Sequence, residues 1–527
     1  MSLTTASTWS TDNTRWQSFY SNTITQQIDH LISLIEKKKK TPDALIRHFD
    51  SMLAVFEQGI SHPDSTTRLK LINFVRTLHP LPLWWGKWSE WMRIIDQVRI
   101  VAEKADKFDK LIWLDITQSE MLIIGGDAGK ALLLAEKALF LAKSHHNFKM
   151  IFKAEMAVFE ARKDIGSIGD RIDAIAKLEK SLLAKKTHLS KEVFQVLEVE
   201  FLLKKTDVLR RMKRKSDAFI AIQRAHAIAT ASLDENSPLV AQLYNRRGAT
   251  YWTAEKNDLA IADFEKATKI FKNLGDKASQ VYSIGYTGLI AWSAGEYRQA
   301  EKMLQNSINF AEKIKALQWQ AIQTGNLGLV SFTRGRLSQA IALMEQHHIL
   351  SQLINNHAER KRAIGNIGYV QIYLGNFQNA YQRLTHDITY TKKMQFQVGA
   401  GTTYANMAWV MEGLGDIDSA LEYAEKSLSI AKKTNAHLLK IIALRSMSEL
   451  QKDSNAKAYY AEEAYALAKK HSRRFNKAGA LLTLADCYQD KNLHDKARQI
   501  LDELGSTDWL KVPTVFKTLR LPLLYWG

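Results

Sequence analysis

Glycines recur 40 residues apart at Gly248, Gly288, Gly328 and Gly368, and a second series, Gly295, Gly335, Gly375 and Gly415, keeps the same interval. Alanines do the same at Ala260, Ala300, Ala340, Ala380 and Ala420. Small residues at a fixed interval of this length mark a stack of like units, each packed mainly on its neighbours. The prolines indicate what the units are made of. All seven lie at Pro42, Pro63, Pro80, Pro82, Pro238, Pro513 and Pro522, so residues 83–237 and 239–512 contain nothing that must break a helix. The period therefore predicts an all-α solenoid of helical hairpins with a long concave wall.

The clearest units begin near residues 241, 281, 321, 361 and 401. In the third, a first helix is predicted over about 321–334, Gly335 ends it, and a second helix runs from Leu337 to Leu353. Gly328 and Ala340 then fall where the two helices cross, and small residues there let the backbones approach. Asn326-Leu327-Gly328 with Gly335 and Ala340 is one copy of a motif; Asn366-Ile367-Gly368 with Gly375-Asn376-Phe377 and Ala380 is another. Asn406-Met407-Ala408 with Gly415-Asp416-Ile417 and Ala420 is a third. Gly126-Asp127 with Ala131, Ala135 and Ala138 repeats its second half, and Ala485, Tyr488 and Ala497 echo it. On these residues the chain resembles the tetratricopeptide repeat.

That resemblance implies a right-handed superhelix of about ten to twelve hairpins over residues 84–510, with the first helix of each hairpin on the concave face. The long 40-residue unit is similar to two groups: scaffolds that hold extended peptides, and the sensor arms of bacterial STAND ATPases and of the maltose-regulon activator. In the second group a Trp-rich opening such as Leu83–Trp91 precedes the first repeat, and by analogy it implies a bacterial regulatory or defence role; the ATPase itself is absent from this sequence. The chain divides into a helical cap or partner-binding element (1–80), degenerate repeats (81–240), well-defined repeats (241–440), degenerate repeats (441–510) and an apolar tail (511–527). In the first part a polar tail precedes helices around 26–39 and 43–59. The tail is expected to dock on the last helices, with its own groove as the alternative.

The asparagines Asn326, Asn366 and Asn406 form a ladder, one amide per unit, and amides can pair with the main chain of an extended peptide. Arg362 matches the arginine that accompanies the groove asparagine in peptide-binding relatives, and Arg246 stands in the asparagine register of an earlier unit. Tyr369 and Trp409 lie three residues after Asn366 and Asn406, on the same helix face. The competing reading is that these asparagines tie one hairpin to the next.

A formal charge of +18 and the run Lys204, Lys205, Arg210, Arg211, Lys213, Arg214, Lys215 offer a surface for nucleic acid or an acidic protein, or a solvated face. Trp84, Trp88 and Trp91 share a helix side and read as core.

Enzymatic signatures are scarce. The segment Gly125–Ala131 has the wrong glycine spacing and ends in Ala where a phosphate loop needs Ser or Thr. His145-His146 and His347-His348 point to different helix faces and make poor metal sites, and no cofactor motif is present. The sole cysteine, Cys487, suits a reducing cytoplasm. Residues 1–25 lack a secretory leader pattern, and no apolar run reaches a membrane-spanning length. The expected protein is a non-enzymatic, cytoplasmic scaffold or sensor that binds a peptide or protein segment. A nucleic-acid-associated solenoid and a non-catalytic subunit of a larger assembly are the alternatives.

Overall fold

The computed structural model describes residues 6–38, 42–125, 127–162, 168–212, 214–393, 397–471, 473–516 and 518–523. Among them the fold is an all-α repeat solenoid. Twenty helices, from Phe108–Ile124 to Lys491–Leu504, pair into ten antiparallel hairpins. The first helices, among them Lys277–Ala294, Leu317–Thr333, His357–Tyr373 and Gln397–Gly413, touch those of the next hairpin as well as their own partners. Second helices contact chiefly the first helices beside them in the chain. First helices therefore form the inside of the curve.

The small residues act where the spacing put them. The helix expected from residue 321 begins four residues earlier, at Leu317, and ends at Thr333; its partner spans Leu337–Leu353. Gly335, at the turn between them, has φ +88°, a left-handed conformation that glycine adopts without steric penalty. Gly288 sits at a crossing where an added Cβ would lie 2.9 Å from Leu304 Cγ. Gly288→Val is expected to overpack this crossing and cost about 1–3 kcal/mol, read as a lower urea midpoint. An unchanged midpoint would mean that the crossing has slack. Polar ties repeat with the hairpins: Trp252 Nε1 donates to Ser293 Oγ at 2.9 Å, and Trp292 Nε1 to Thr333 Oγ1 at 2.9 Å, each across 41 residues.

The coil is tight enough to touch itself. Arg473 pairs with Glu255 at 2.6 Å, Tyr297 meets Phe475 ring to ring, and Gly86 packs on Ala316. Gln318 Nε2 and Asn356 Nδ2 both donate to Ile124 O, at 3.5 and 3.4 Å. Hairpins five or six places apart thus close on one another and narrow the space inside.

The N-terminal segment differs from expectation. The backbone is helical from Ala6 to Lys38 in one element, where a polar tail and a shorter helix were expected, because no glycine or proline interrupts the stretch. Ile24, Ile28 and Ile35 from this helix, with Phe49, Phe56 and Leu71, build a core that continues through Trp85 and Trp91 to Leu114. Trp84 and Trp88 pack on its margin, so Trp85 takes the buried place expected of them. The short helix Leu81–Trp84 ends just before Trp85 and turns it inward.

Candidate interaction site on the inner wall

The early hairpins bring a charged patch onto the wall. Glu120, Glu160 and Glu200 stand 40 residues apart on three successive first helices. Lys153 Nζ reaches Glu200 at 3.4 Å, and Arg246 pairs with Asp207 at 2.8 Å while donating to the Tyr282 hydroxyl at 3.3 Å. Glu120 keeps access to solvent, yet the surrounding wall and the charges of Glu200 and Glu160 raise its carboxyl above the usual range against the pull of Lys204 and Lys153. Burial lowers the Lys204 ammonium, and Glu160, Glu120 and Glu200 more than reverse it. Asp207 likewise holds the Arg246 guanidinium above its ordinary value. A wall of alternating charge in a partly dehydrated space favours a ligand that brings complementary charge. The glutamates escaped the sequence reading, although their 40-residue interval was there to be found.

The cationic run does not form one face among the described residues. Lys204 joins the glutamates of the wall, whereas Lys205 pairs with Glu179 at 2.8 Å, Arg210 with Asp207 at 3.2 Å and Arg214 with Asp217 at 2.5 Å. Lys215 is exposed; Lys213 and the Arg211 side chain lie outside the described residues.

Further along the wall, the structure brings Asn326 and Arg362 together. Arg362 Nη1 donates to Asn326 Oδ1 at 2.8 Å, Nη2 to Ile322 O at 3.2 Å and Nε to Glu359 at 2.8 Å. Asn326 in turn donates to Gln323 Oε1 at 3.0 Å. Burial raises the Glu359 carboxyl, but Arg362 and the fully buried His347, 3.0 Å away, bring it down to about 2. This pair binds one hairpin to the next. Asn366 is 8% exposed, and its Nδ2 makes no hydrogen bond among the described residues. The Tyr369 hydroxyl lies 3.2 Å from Thr403 Oγ1, which donates to Asp387. Arg246 stands apart from this group, in the charged section.

Asn406 and Trp409 face an occupant, the chain's own tail. The last hairpin ends at Leu504, beside Gly295, and the chain then passes Gly335 and Gly375 before turning inward. Trp509 is fully buried and donates to Thr333 O at 3.0 Å, and Arg334 Nε holds Gly505 O at 3.0 Å. Arg445 donates to Leu521 O at 2.7 Å and Pro522 O at 3.4 Å, and Asn406 Nδ2 donates to Leu523 O at 3.1 Å. The tail was expected to dock on the last helices, with its own groove as the alternative; its first part runs along the middle hairpins, and residues 518–523 then lie on the inner wall against Asn406 and against Arg445, Glu449 and Asp486 of the last two hairpins. Leu524, Tyr525 and Trp526 lie outside the described residues.

No group of three His, Cys, Asp or Glu that could hold a metal occurs among the described residues, and no helix there is long and apolar enough to cross a membrane. Asp127 caps a hairpin helix by accepting from Lys130 N, so the glycine-rich segment around it is a turn between helices; Gly126 lies outside the described residues.

Residues 203–273 and 401–435 match family models of the tetratricopeptide repeat. These two stretches are tetratricopeptide repeats. Similar solved structures include a STAND protein with a tetratricopeptide-repeat sensor from Pyrococcus horikoshii: TM-score 0.46 and 13% identity, covering 72% of this chain and 55% of that one, about half its length. A Rap protein complexed with competence and sporulation factor gives a TM-score of 0.47 and 11% identity, over 76% of this chain and 98% of that one. The apo quorum sensor NprR from B. thuringiensis gives 0.36 and 15%, over 77% and 98%. Comparison with curated proteins yields no match.

Proposed function

We propose that this tetratricopeptide-repeat protein is a non-enzymatic interaction scaffold or sensor whose inner wall holds an extended protein segment. The observation that supports this reading is the way the wall holds residues 521–523. Arg445 and Asn406, on successive first helices, donate to main-chain carbonyls of a non-helical strand, a mode of recognition that any extended peptide can satisfy. Asn366, one unit before Asn406, has an amide donor with no partner among the described residues to continue the row, and the charged section around Glu120 and Arg246 lies further along the same wall. Arg210, Arg214 and Lys205 are engaged with carboxylates, which favours a protein partner over a nucleic-acid backbone.

Panning a random-peptide library against the full-length protein is expected to yield ligands that depend on this wall. Asn366→Ala removes one donor, and Glu120→Lys reverses a charge that reaches solvent. Together they are expected to weaken such ligands by about tenfold or more, with little change in helical content or melting temperature. Ligands indifferent to both substitutions would refute the proposal.

A further inference from the structure

Arg520 occupies a site built for it. Its guanidinium makes two hydrogen bonds to the Glu412 carboxylate, at 2.5 and 2.9 Å, and its Nε lies 3.3 Å from Glu449. The guanidinium carbon stands 5.3 Å from the Trp409 ring centroid and 4.3 Å from that of Phe516. The residue is 6% exposed. Planar stacking with a two-pronged carboxylate bond selects arginine over lysine, whose ammonium can satisfy neither geometry. Apart from Phe516, every group of this site belongs to the repeats, and the neighbouring contacts of Arg445 and Asn406 read only backbone. The site is therefore specified for an arginine followed by extended chain, whichever molecule supplies it.

The tail is tied to one core at two places, by Trp509 and by the fully buried Leu521 and Leu523, with an exposed stretch between them. Trp509 is sunk in the core, while Pro513, Thr514 and Val515 are exposed and non-helical. Release of residues 519–523 alone would open the chain at that exposed stretch and leave Trp509 in place. Their departure would strand two carboxylates, Glu412 and Glu449, of which Lys457 neutralises Glu449 in part at 3.5 Å. Glu449 is buried and Glu412 half-buried, and carboxylates so placed are costly without a counter-charge, so an occupant that displaces the tail is favoured when it brings a cation of its own. Trp409 Nε1 and Asn476 Nδ2 find no acceptor among the described residues, which leaves room for a better-matched occupant.

We propose that Trp409, Glu412 and Glu449 form a guanidinium-binding site of the inner wall with Arg520 as its resident occupant. An extended segment of a partner protein, carrying an arginine followed by apolar residues, takes the site by displacing residues 519–523. This rests on the wall reading above and names its ligand class.

The test uses a labelled peptide with the sequence of residues 516–523, Phe-Lys-Thr-Leu-Arg-Leu-Pro-Leu, and fluorescence anisotropy. Full-length Arg520→Ala is expected to bind it at least about tenfold more tightly than the wild type, whose site is filled. Replacing the peptide's arginine with alanine, or adding Glu412→Gln to the protein, is expected to reverse the gain. A folded Arg520→Ala chain that binds no better than wild type overturns the proposal. If that variant does not fold, hydrogen exchange on the wild type decides: amides of 519–523 exchanging faster than that of Trp509 support release, and equal protection overturns it. Dimerisation of the wild type that Arg520→Ala abolishes would also overturn it, in favour of tail exchange between two copies. Library ligands sensitive to Glu120→Lys but indifferent to Arg520→Ala would overturn this inference alone and leave the wall reading standing.

Discussion

Trp509→Ala is expected to destabilise the protein by about 3–5 kcal/mol, the range for removing a large aromatic side chain from a close-packed core. Trp509 is fully buried between Phe332, at 5.8 Å between ring centroids, and Tyr373, at 5.1 Å. Its indole donates to Thr333 O, which the substitution would leave short of one partner. The site also has little means of collapse, because the Gly335 turn approaches so closely that a Cβ there would lie 2.5 Å from Trp509 N. Trp509→Phe keeps most of the volume and loses the hydrogen bond, so a smaller cost of about 1–3 kcal/mol is expected. Solenoids can unravel in parts, so the measurement is best made by hydrogen exchange of Leu317–Thr333 and His357–Tyr373 alongside urea unfolding. A change below about 1 kcal/mol, with protection of both helices retained, would show that the tail merely rests on the solenoid.

Why the tail's individual partners were not legible in the sequence follows from the separations involved. The hairpins were legible because each is closed by residues within one period: Gly335 ends a helix, and Ala340, five residues later, is buried against it. Ties between adjacent hairpins keep nearly the same interval, as Trp292 and Thr333 do at 41 residues. The contacts that fix the tail have no period. Thr333 and Trp509 are 176 residues apart, Arg334 and Gly505 171, and Glu412 and Arg520 108. Which of them meet depends on the rotation accumulated over several hairpins, and a small change per hairpin would move every pairing. The asparagine ladder was legible as positions on one face and illegible as partners. Asn326 is claimed by Arg362 and Asn406 by Leu523, while Asn366 keeps its donor, though all three share a register. The cationic run misled for a related reason, since charge in sequence says nothing of the carboxylate that Glu179 brings to Lys205 from 26 residues away.

A second large effect is expected at Arg247 and Asp263, which cross-link the two helices of the hairpin that carries Arg246. Arg247 Nε and Nη2 donate to the two carboxylate oxygens of Asp263, at 2.6 and 2.7 Å, and both residues are buried. The guanidinium carbon also lies 5.1 Å from the Tyr244 ring centroid and 5.9 Å from that of Tyr251. Asp263→Ala would strand a buried cation and is expected to cost about 3–5 kcal/mol, whereas replacing both partners at once, Arg247→Met with Asp263→Leu, is expected to be near neutral or stabilising by about 1–4 kcal/mol. Urea unfolding of the two single variants and the double measures the coupling directly; equal losses in all three would mean that packing, and not charge, holds the crossing. The pair also fixes the rotation of the helix Pro238–Thr253 about its axis. With Arg247 held toward the outer helix, its neighbour Arg246 is turned to the wall, where it meets Asp207 and Tyr282. The double variant should therefore stay folded yet hold Arg246 less firmly. Weaker binding of wall-dependent ligands at unchanged stability would reveal that the buried pair serves the wall's geometry more than the stability of the fold.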